Sequence, residues 1–457
     1  MSDDTAAPDG DEVISQAVCT TGRYRCHARV VTGTSARRIA SRAAAAPTPA
    51  GFGPAELQSA YRIDPKTIAT STPPTIAIID AYGYTALEAD LGVYRSQYGL
   101  PPCTIANGCL KIVNQLGQTT NLPPNPPADD DWRVETALDI DMASAACPKC
   151  KLLVVQANDN IGDGLETSQA TAVTLGAAVI SNSWGGPEDP QQPAATSGIE
   201  AFFDHPGVAI FVAAGDAGYN DQLGDQLSPK QPVGPDYPGT SAHTIAVGAT
   251  RLARAPSTAR GWTETTWAPT AGMPDRGAGG SACSNSIPKP VYQAASPCAF
   301  KATTDIAAVG DPATGVAVYT SAISGGWTVI GGTSASAPFV AGIFAGAGLG
   351  PTASGAFLAA NAAKLNDVTT GTNGTCGTQT LLCNAAAGWD GPTGFGTPNA
   401  SAFIAGATGS GSGSGSGGRT DTTGGDQSVS GGCSTAGSGA GVLLGVALLG
   451  LRRRRRA

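Results

Sequence analysis

Residues Gly331 to Gly342 read GGTSASAPFVAG. The two leading glycines allow another part of the chain to approach the backbone closely. The small, apolar run APFVAGIFAGAG then continues as a buried helix, with Pro338 near its first turn, where a missing N–H costs little. Ser334 therefore stands at a helix N-terminus, where the local dipole favours developing negative charge. A serine so placed becomes a nucleophile only if a base takes its proton, and the usual base is histidine. The chain has three, His27, His205 and His243, and none lies in a His-Gly-Thr type of setting. His205 precedes Pro206 and His243 opens a strand, so both read as structural.

Working outward, short β-branched runs bounded by Gly, Asn or Asp recur: TIAIIDAYGY (Thr75 to Tyr84), CKLLVVQAND (Cys150 to Asp159), AAVISNSWGG (Ala177 to Gly186), VAIFVAAGDAG (Val208 to Gly218) and HTIAVGAT (His243 to Thr250). Helical patterns such as DWRVETALDIDMASAA and IGDGLETSQATAVTLG lie between some of them. This alternation predicts an α/β fold, a doubly wound, mostly parallel sheet with helices on both faces. Functional loops then belong at the carboxyl ends of the strands.

Charged residues make up 14% of the chain, against about 25% in an average protein. The net charge is −8, which argues against a nucleic-acid partner. Sparse charge also suits acid conditions, where carboxylates lose their charge. Ten of the eleven cysteines fall in close pairs, Cys19/Cys26, Cys103/Cys109, Cys147/Cys150, Cys283/Cys298 and Cys376/Cys383, with Cys433 left over. Neighbour-paired disulfides and an oxidising compartment are the expectation. CPKC, Cys147 to Cys150, could alternatively be a redox or zinc half-site, but no partner pair of that spacing completes four ligands.

Residues 1–50 are polar and Ala-rich, with YRCHARVVTG as the strand-like run, and could serve as a short pro-region. A domain is expected over 51–405. Gly/Ser-rich residues 406–432 read as a flexible linker. Residues 433–457 hold a 12-residue apolar run, Ala440 to Leu451, too short to span a bilayer comfortably, and then five arginines, the pattern of a sorting or anchoring tail. No charged-then-apolar leader opens the sequence, so export would need an upstream start or another route.

Carboxylates supply the alternative to histidine. Glu135 and Asp139 are four apart and stack on one face of an apolar helix. If buried, they raise each other's pKa and share a proton. If not, both face water beside Asp129 to Asp131. Asp216, in VAAGDAG, ends a strand in a Gly-flanked turn, the place of either a site residue or an ordinary turn aspartate.

Together ETALD, GGTSASAP and AAGDAG resemble the sedolisin family, the serine-carboxyl peptidases of subtilisin-like fold, over about residues 51–405. The resemblance implies Glu135 as general base, Asp139 as its supporting acid, Ser334 as nucleophile and Asp216 as oxyanion donor. It extends the carboxylate network to Asp80 in AIIDAYG and to Trp184 in SNSWGG, although Asp80 could equally cap a turn and Trp184 could be plain core. It also implies one calcium ion, Ca2+, held by the side chains of Asp367 and Asp390 and the carbonyls of Val368, Ala386 and Gly388, in NDVTTGTNG and AAAGWDGPTGFGTPN. Two departures stand out. Only about 50 residues precede the core where the family usually has a long pro-domain, and the tail, similar to myxobacterial sorting tails, is not general to the family. The expected protein is a monomeric, exported or surface-attached acid endopeptidase acting on proteins or peptides, its tail able to attach to a membrane or cell surface. The alternative is a catalytically silent binding module on the same fold.

Overall fold

A computed structural model describes residues 13–33, 49–64, 72–128, 130–189, 193–221, 234–269 and 277–403, all within one compact unit, Met1–Ser410. The linker and the Cys433 tail lie outside the described residues. The labelled strands, in chain order, are β1 (Ile14–Ala17), β2 (Arg25–Cys26), β3 (Arg29–Gly33), β4 (Thr75–Ala81), β5 (Leu110–Asn114), β6 (Lys151–Ala157), β7 (Val179–Asn182), β8 (Trp184–Pro187), β9 (Ala209–Ala213), β10 (Ile245–Ala255), β11 (Gly261–Thr266), β12 (Thr304–Val309), β13 (Val316–Tyr319) and β14 (Trp327–Gly331). The labelled helices are α1 (Leu87–Gln97), α2 (Trp132–Ala146), α3 (Gly164–Thr174) and α4 (Thr333–Gly346).

The central sheet has eight strands in the order β11–β10–β9–β7–β4–β6–β5, with β12 also pairing β10. Every pair is parallel except β10–β11. Ile76, Ala77, Ile78, Ile79, Asp80 and Ala81 of β4 are all buried, whichever way each side chain points, so both faces of the sheet are covered. That is why these strands read as continuous apolar runs rather than alternating ones. β5 and β12 escaped the sequence reading because their runs are brief and interrupted by Lys111 and Asp305.

Both site helices are almost wholly buried: all of α4, and all of α2 but Arg133. Each buried Val, Leu or Phe on them contributes about 1.5–3 kcal/mol. The small residues of α4 let it lie close against α2. A Cβ at Gly342 would come within 2.6 Å of the Ala146 Cβ. This close approach sets the end of α4 that carries Ser334 beside the face of α2 that carries Glu135 and Asp139.

The N-terminal stretch joins this body. β1 pairs antiparallel with β3, β3 with β14, and β14 with β13, forming a four-stranded sheet. β2 pairs antiparallel with β8. All five neighbouring cysteine pairs form disulfides, including Cys147–Cys150, which removes the zinc half-site reading of CPKC.

Candidate active site

Ser334 is the second residue of α4 and is fully buried. Its cap, Gly332, has φ of +100°, and a Cβ there would stand 2.0 Å from the His27 carbonyl oxygen and 2.7 Å from Asp216 Oδ2. Both the conformation and the space therefore require glycine. The Ser334 hydroxyl donates to the Ser183 carbonyl at 3.1 Å and accepts from the His27 N–H at 3.1 Å.

The helical spacing of Glu135 and Asp139 brings them together as expected, and both side chains are fully buried, which removes the reading that they face water. Asp80, at the carboxyl end of β4, is equally buried. Burial, then the charge of Asp80, pushes both Glu135 and Asp139 well above the usual carboxylate range. Burial raises Asp80 to about 7. Ser183 Oγ donates to Asp139 Oδ1 at 2.8 Å. Neither oxygen of Glu135, nor Asp139 Oδ2, nor either oxygen of Asp80 has a hydrogen-bond partner among the described residues, although the Thr136 hydroxyl, turned to the Trp132 carbonyl, lies near enough to favour the charged form of Asp80. A carboxylate accepts only, whereas a carboxylic acid also donates. Buried charge without donors is costly, so this row must carry protons and bond within itself. The Ser334 hydroxyl adjoins Glu135 and favours its charged form, yet the Ser334–Glu135 hydrogen bond is not formed because the hydroxyl is turned to Ser183.

Asp216 follows β9. Its Oδ1 accepts from the Thr333 N–H at 2.8 Å and the Thr333 hydroxyl at 2.9 Å, while its Oδ2 has no partner. Burial raises this carboxyl to about 7, against the opposing pull of Arg29 and the two Thr333 bonds. A proton on Oδ2 makes it a donor facing the space beside Gly332. Trp184 is buried, and its indole N–H donates to the Ile79 carbonyl at 2.9 Å, the residue before Asp80.

The sequence reading missed Ser183 and the whole approach of His27. The imidazole of His27 is not the missing base: its backbone, not its ring, meets Ser334. The ring lies 3.6 Å from Asp236 Oδ2, and burial lowers its pKa to about 3. A signal for Ser183 was present, since it lies inside SNSWGG at the end of β7, where functional loops belong.

The loop bearing Asp367 and Asp390 is built of oxygen donors. Asp390 is buried and raised to about 7, chiefly by burial, with the neighbouring Asp367 charge adding to the rise. Its oxygens accept from Ala386 N–H at 2.9 Å and Thr393 N–H at 2.8 Å, and Asp367 Oδ2 accepts from Gly388 N–H at 2.9 Å. The carbonyls of Val368, Ala386 and Gly388 accept no hydrogen bond among the described residues. Two like-charged carboxyls beside free carbonyls fit a hard cation such as calcium. Elsewhere, Cys19, Cys26 and Glu135 place ligand atoms within 4.8 Å of one another, but the two sulfurs form a disulfide and cannot act as thiolates.

Residues 135–396 match the sequence model of the subtilase family. Over 371 residues the chain is 32% identical to kumamolisin from Bacillus sp. (strain MN-32), covering 77% of this chain and 62% of that protein. It thus spans less than two thirds of the length of that relative. Its fold is similar to that of a Pseudomonas sedolisin, a serine-carboxyl proteinase complexed with two molecules of pseudo-iodotyrostatin. The TM-score is 0.62 at 23% identity, over 80% of this chain and 100% of that one.

Proposed function

Because the chain belongs to the subtilase family and is similar to kumamolisin and sedolisin within it, we propose that it is an acid serine endopeptidase. In this reading Ser334 attacks a peptide carbonyl, Glu135 takes its proton, and Asp139, bonded to Ser183, orients and tunes Glu135. Asp80 extends the proton-sharing row, and Trp184 fixes the strand end that carries it. Asp216 donates through its protonated Oδ2 to the oxyanion.

The observation that carries this proposal is the fully buried row Asp80, Asp139 and Glu135 beside Ser334, in which only Asp139 Oδ1 has a hydrogen-bond partner, the Ser183 hydroxyl, among the described residues. Such a row works where protons are available. Burial holds Glu135 well above the ordinary carboxyl pKa of ~4.3, so the base is the ionised share of this proton-sharing row rather than a free carboxylate. The test is cleavage of a denatured protein at about pH 4, near that value, by the wild type and by Ser334→Ala. Cleavage by the wild type alone is expected. Equal activity in both removes Ser334 from its role, and inactivity of both favours the silent binding module.

Calcium belongs to the same proposal. Asp367, Asp390 and the carbonyls of Val368, Ala386 and Gly388 would hold it, and the bound ion would neutralise the two carboxyls and tie the loop. Export and surface attachment rest on the paired cysteines and on the tail. A chain ending at Ala405 should cleave normally and appear in the medium, and its retention on cells would sink the sorting role. Proteins or peptides are the proposed substrates, and a monomer the proposed state.

A further inference from the structure

β8 leads directly away from Ser334. It starts after Ser183, whose carbonyl accepts from the Ser334 hydroxyl at 3.1 Å. One edge of β8 pairs with Asp236–Tyr237, and the other with β2, Arg25 opposite Gly185 and Cys26 opposite Trp184. A Cβ at Gly186 would stand 2.5 Å from the Arg23 carbonyl oxygen, so this edge takes a backbone at close range only because it is glycine. An extended peptide on such an edge is held by its main chain, while its side chains enter pockets beside the strand.

A pocket of about 580 Å³ opens where β8 ends. Asp163, Glu166, Glu188 and Asp189 line it, and Arg23 is the one cation among its described lining residues. Glu166 on α3 and Glu188 just after β8 are both buried. Glu166 Oε1 accepts from the Tyr24 hydroxyl at 2.6 Å and lies 3.4 Å from Arg23 Nη1, and Asp163 Oδ1 lies 3.2 Å from the same nitrogen. The other oxygen, Glu166 Oε2, has no hydrogen-bond partner among the described residues. Neither has Glu188 Oε1, although Glu188 Oε2 accepts from the Asn285 N–H at 2.8 Å. Burial raises the Glu166 carboxyl, and the Tyr24 hydroxyl and the Arg23 charge pull it back, so its charged form gains from a donor and a cation beside it. Two buried carboxyls with open oxygens on the walls of one pocket are costly until such groups meet them.

We infer that this pocket is a subsite for a basic side chain of the substrate, the fourth or fifth residue before the cleaved bond, with Glu166 as its determinant and Glu188 as a second wall. The inference rests on the peptidase reading proposed above. The count follows from the register on β8. His27 donates its N–H to the Ser183 carbonyl, and its own carbonyl accepts from the Ser334 N–H, so a substrate residue in that place is the first before the cut. The places of Cys26 and Arg25 are then the second and third. Those of Tyr24 and Arg23 are the fourth and fifth, and both side chains reach Glu166. An arginine in the fourth place spans about the length of a tyrosine and ends in paired donors that fit a carboxylate. An arginine in the fifth place repeats the contacts of Arg23 with Glu166 and Asp163.

The test compares peptides identical but for arginine or citrulline in the fourth or the fifth place, since citrulline keeps the shape and loses the charge. The full chain is used as wild type, Glu166→Gln and Glu188→Gln, at about pH 5, above the ordinary carboxyl pKa of ~4.3. Mass spectrometry identifies the bond cut, and kcat/KM is measured for each peptide. In one of the two places the wild type should cleave the arginine peptide at least about tenfold more efficiently than the citrulline peptide, the worth of one charge-assisted bond. Glu166→Gln should remove most of that preference, and Glu188→Gln should lower it less. The ratio is the readout because a merely structural loss slows both peptides alike. Should Glu166→Gln fail to fold, the wild-type ratio and its fall in Glu188→Gln decide in the same way. A wild-type ratio near one in both places, or an undiminished ratio in the variants, overturns the inference and leaves the peptidase proposal standing. A wild type that cuts neither the peptides nor a denatured protein overturns both.

Discussion

Replacing Asp216 by asparagine separates the proton on this residue from its shape. The amide keeps an oxygen for the Thr333 N–H and hydroxyl and places an N–H where Oδ2 now lacks a partner. The Asp216 carboxyl moves from 3.8 to about 7 on folding, roughly three units. At 1.36 kcal/mol per unit this is about 4 kcal/mol. The group is raised, so the folded state holds its proton more tightly than the unfolded chain. Its contribution to stability is fully present below about pH 4 and is lost as pH rises through about 7. Asparagine does not titrate. The stability of the variant relative to aspartate should therefore rise by about 4 kcal/mol between those limits. Urea unfolding at both pH values, with Ser334→Ala in both chains to prevent self-digestion, measures it. The same change should move activity: kcat/KM of the wild type should fall about tenfold per pH unit once Asp216 loses its proton. The Asp216→Asn limb should extend to higher pH. Stability curves that run parallel from acid to neutral would refute the idea that Asp216 carries the proton.

Glu135→Gln should lower kcat by about 10²–10⁴-fold, the usual share of a general base, while the neutral-pH melting temperature holds or rises because a buried titrating group is gone; a thermal melt beside the kinetics checks both. Gly342→Ala should force α2 and α4 apart and cost about 1–3 kcal/mol, read as a lower melting temperature, and an unchanged melt would show that the helices have room to spare. Asp390→Ala should lower the melting temperature and abolish its response to a chelator, whereas a mutant melt that still shifts with chelator removes Asp390 from the proposed calcium site.

Much of the fold was legible because its signals are local. The buried strands announce themselves as apolar runs, since a sheet covered on both faces leaves no room for alternation. Ser334 could be singled out because GGTSASAP combines close backbone approach, a helix start and small residues in one window. Glu135 and Asp139 could be paired because helical geometry makes residues four apart neighbours. Those constraints act over a turn or a strand, and the sequence alone determines them. Tertiary structure decided the rest. Whether Glu135 and Asp139 face water or each other depended on α4 covering α2, which depended on packing at Gly342. The roles of Ser183 and of His27 depended on backbone groups, and every residue but proline offers the same N–H and C=O. His27 meets Ser334 across 307 positions of sequence. No side chain marks that meeting in advance, because a hydrogen bond between main chains carries no residue signature, and only the folded sheet edges on either side of Ser334 select which stretch of chain lies there.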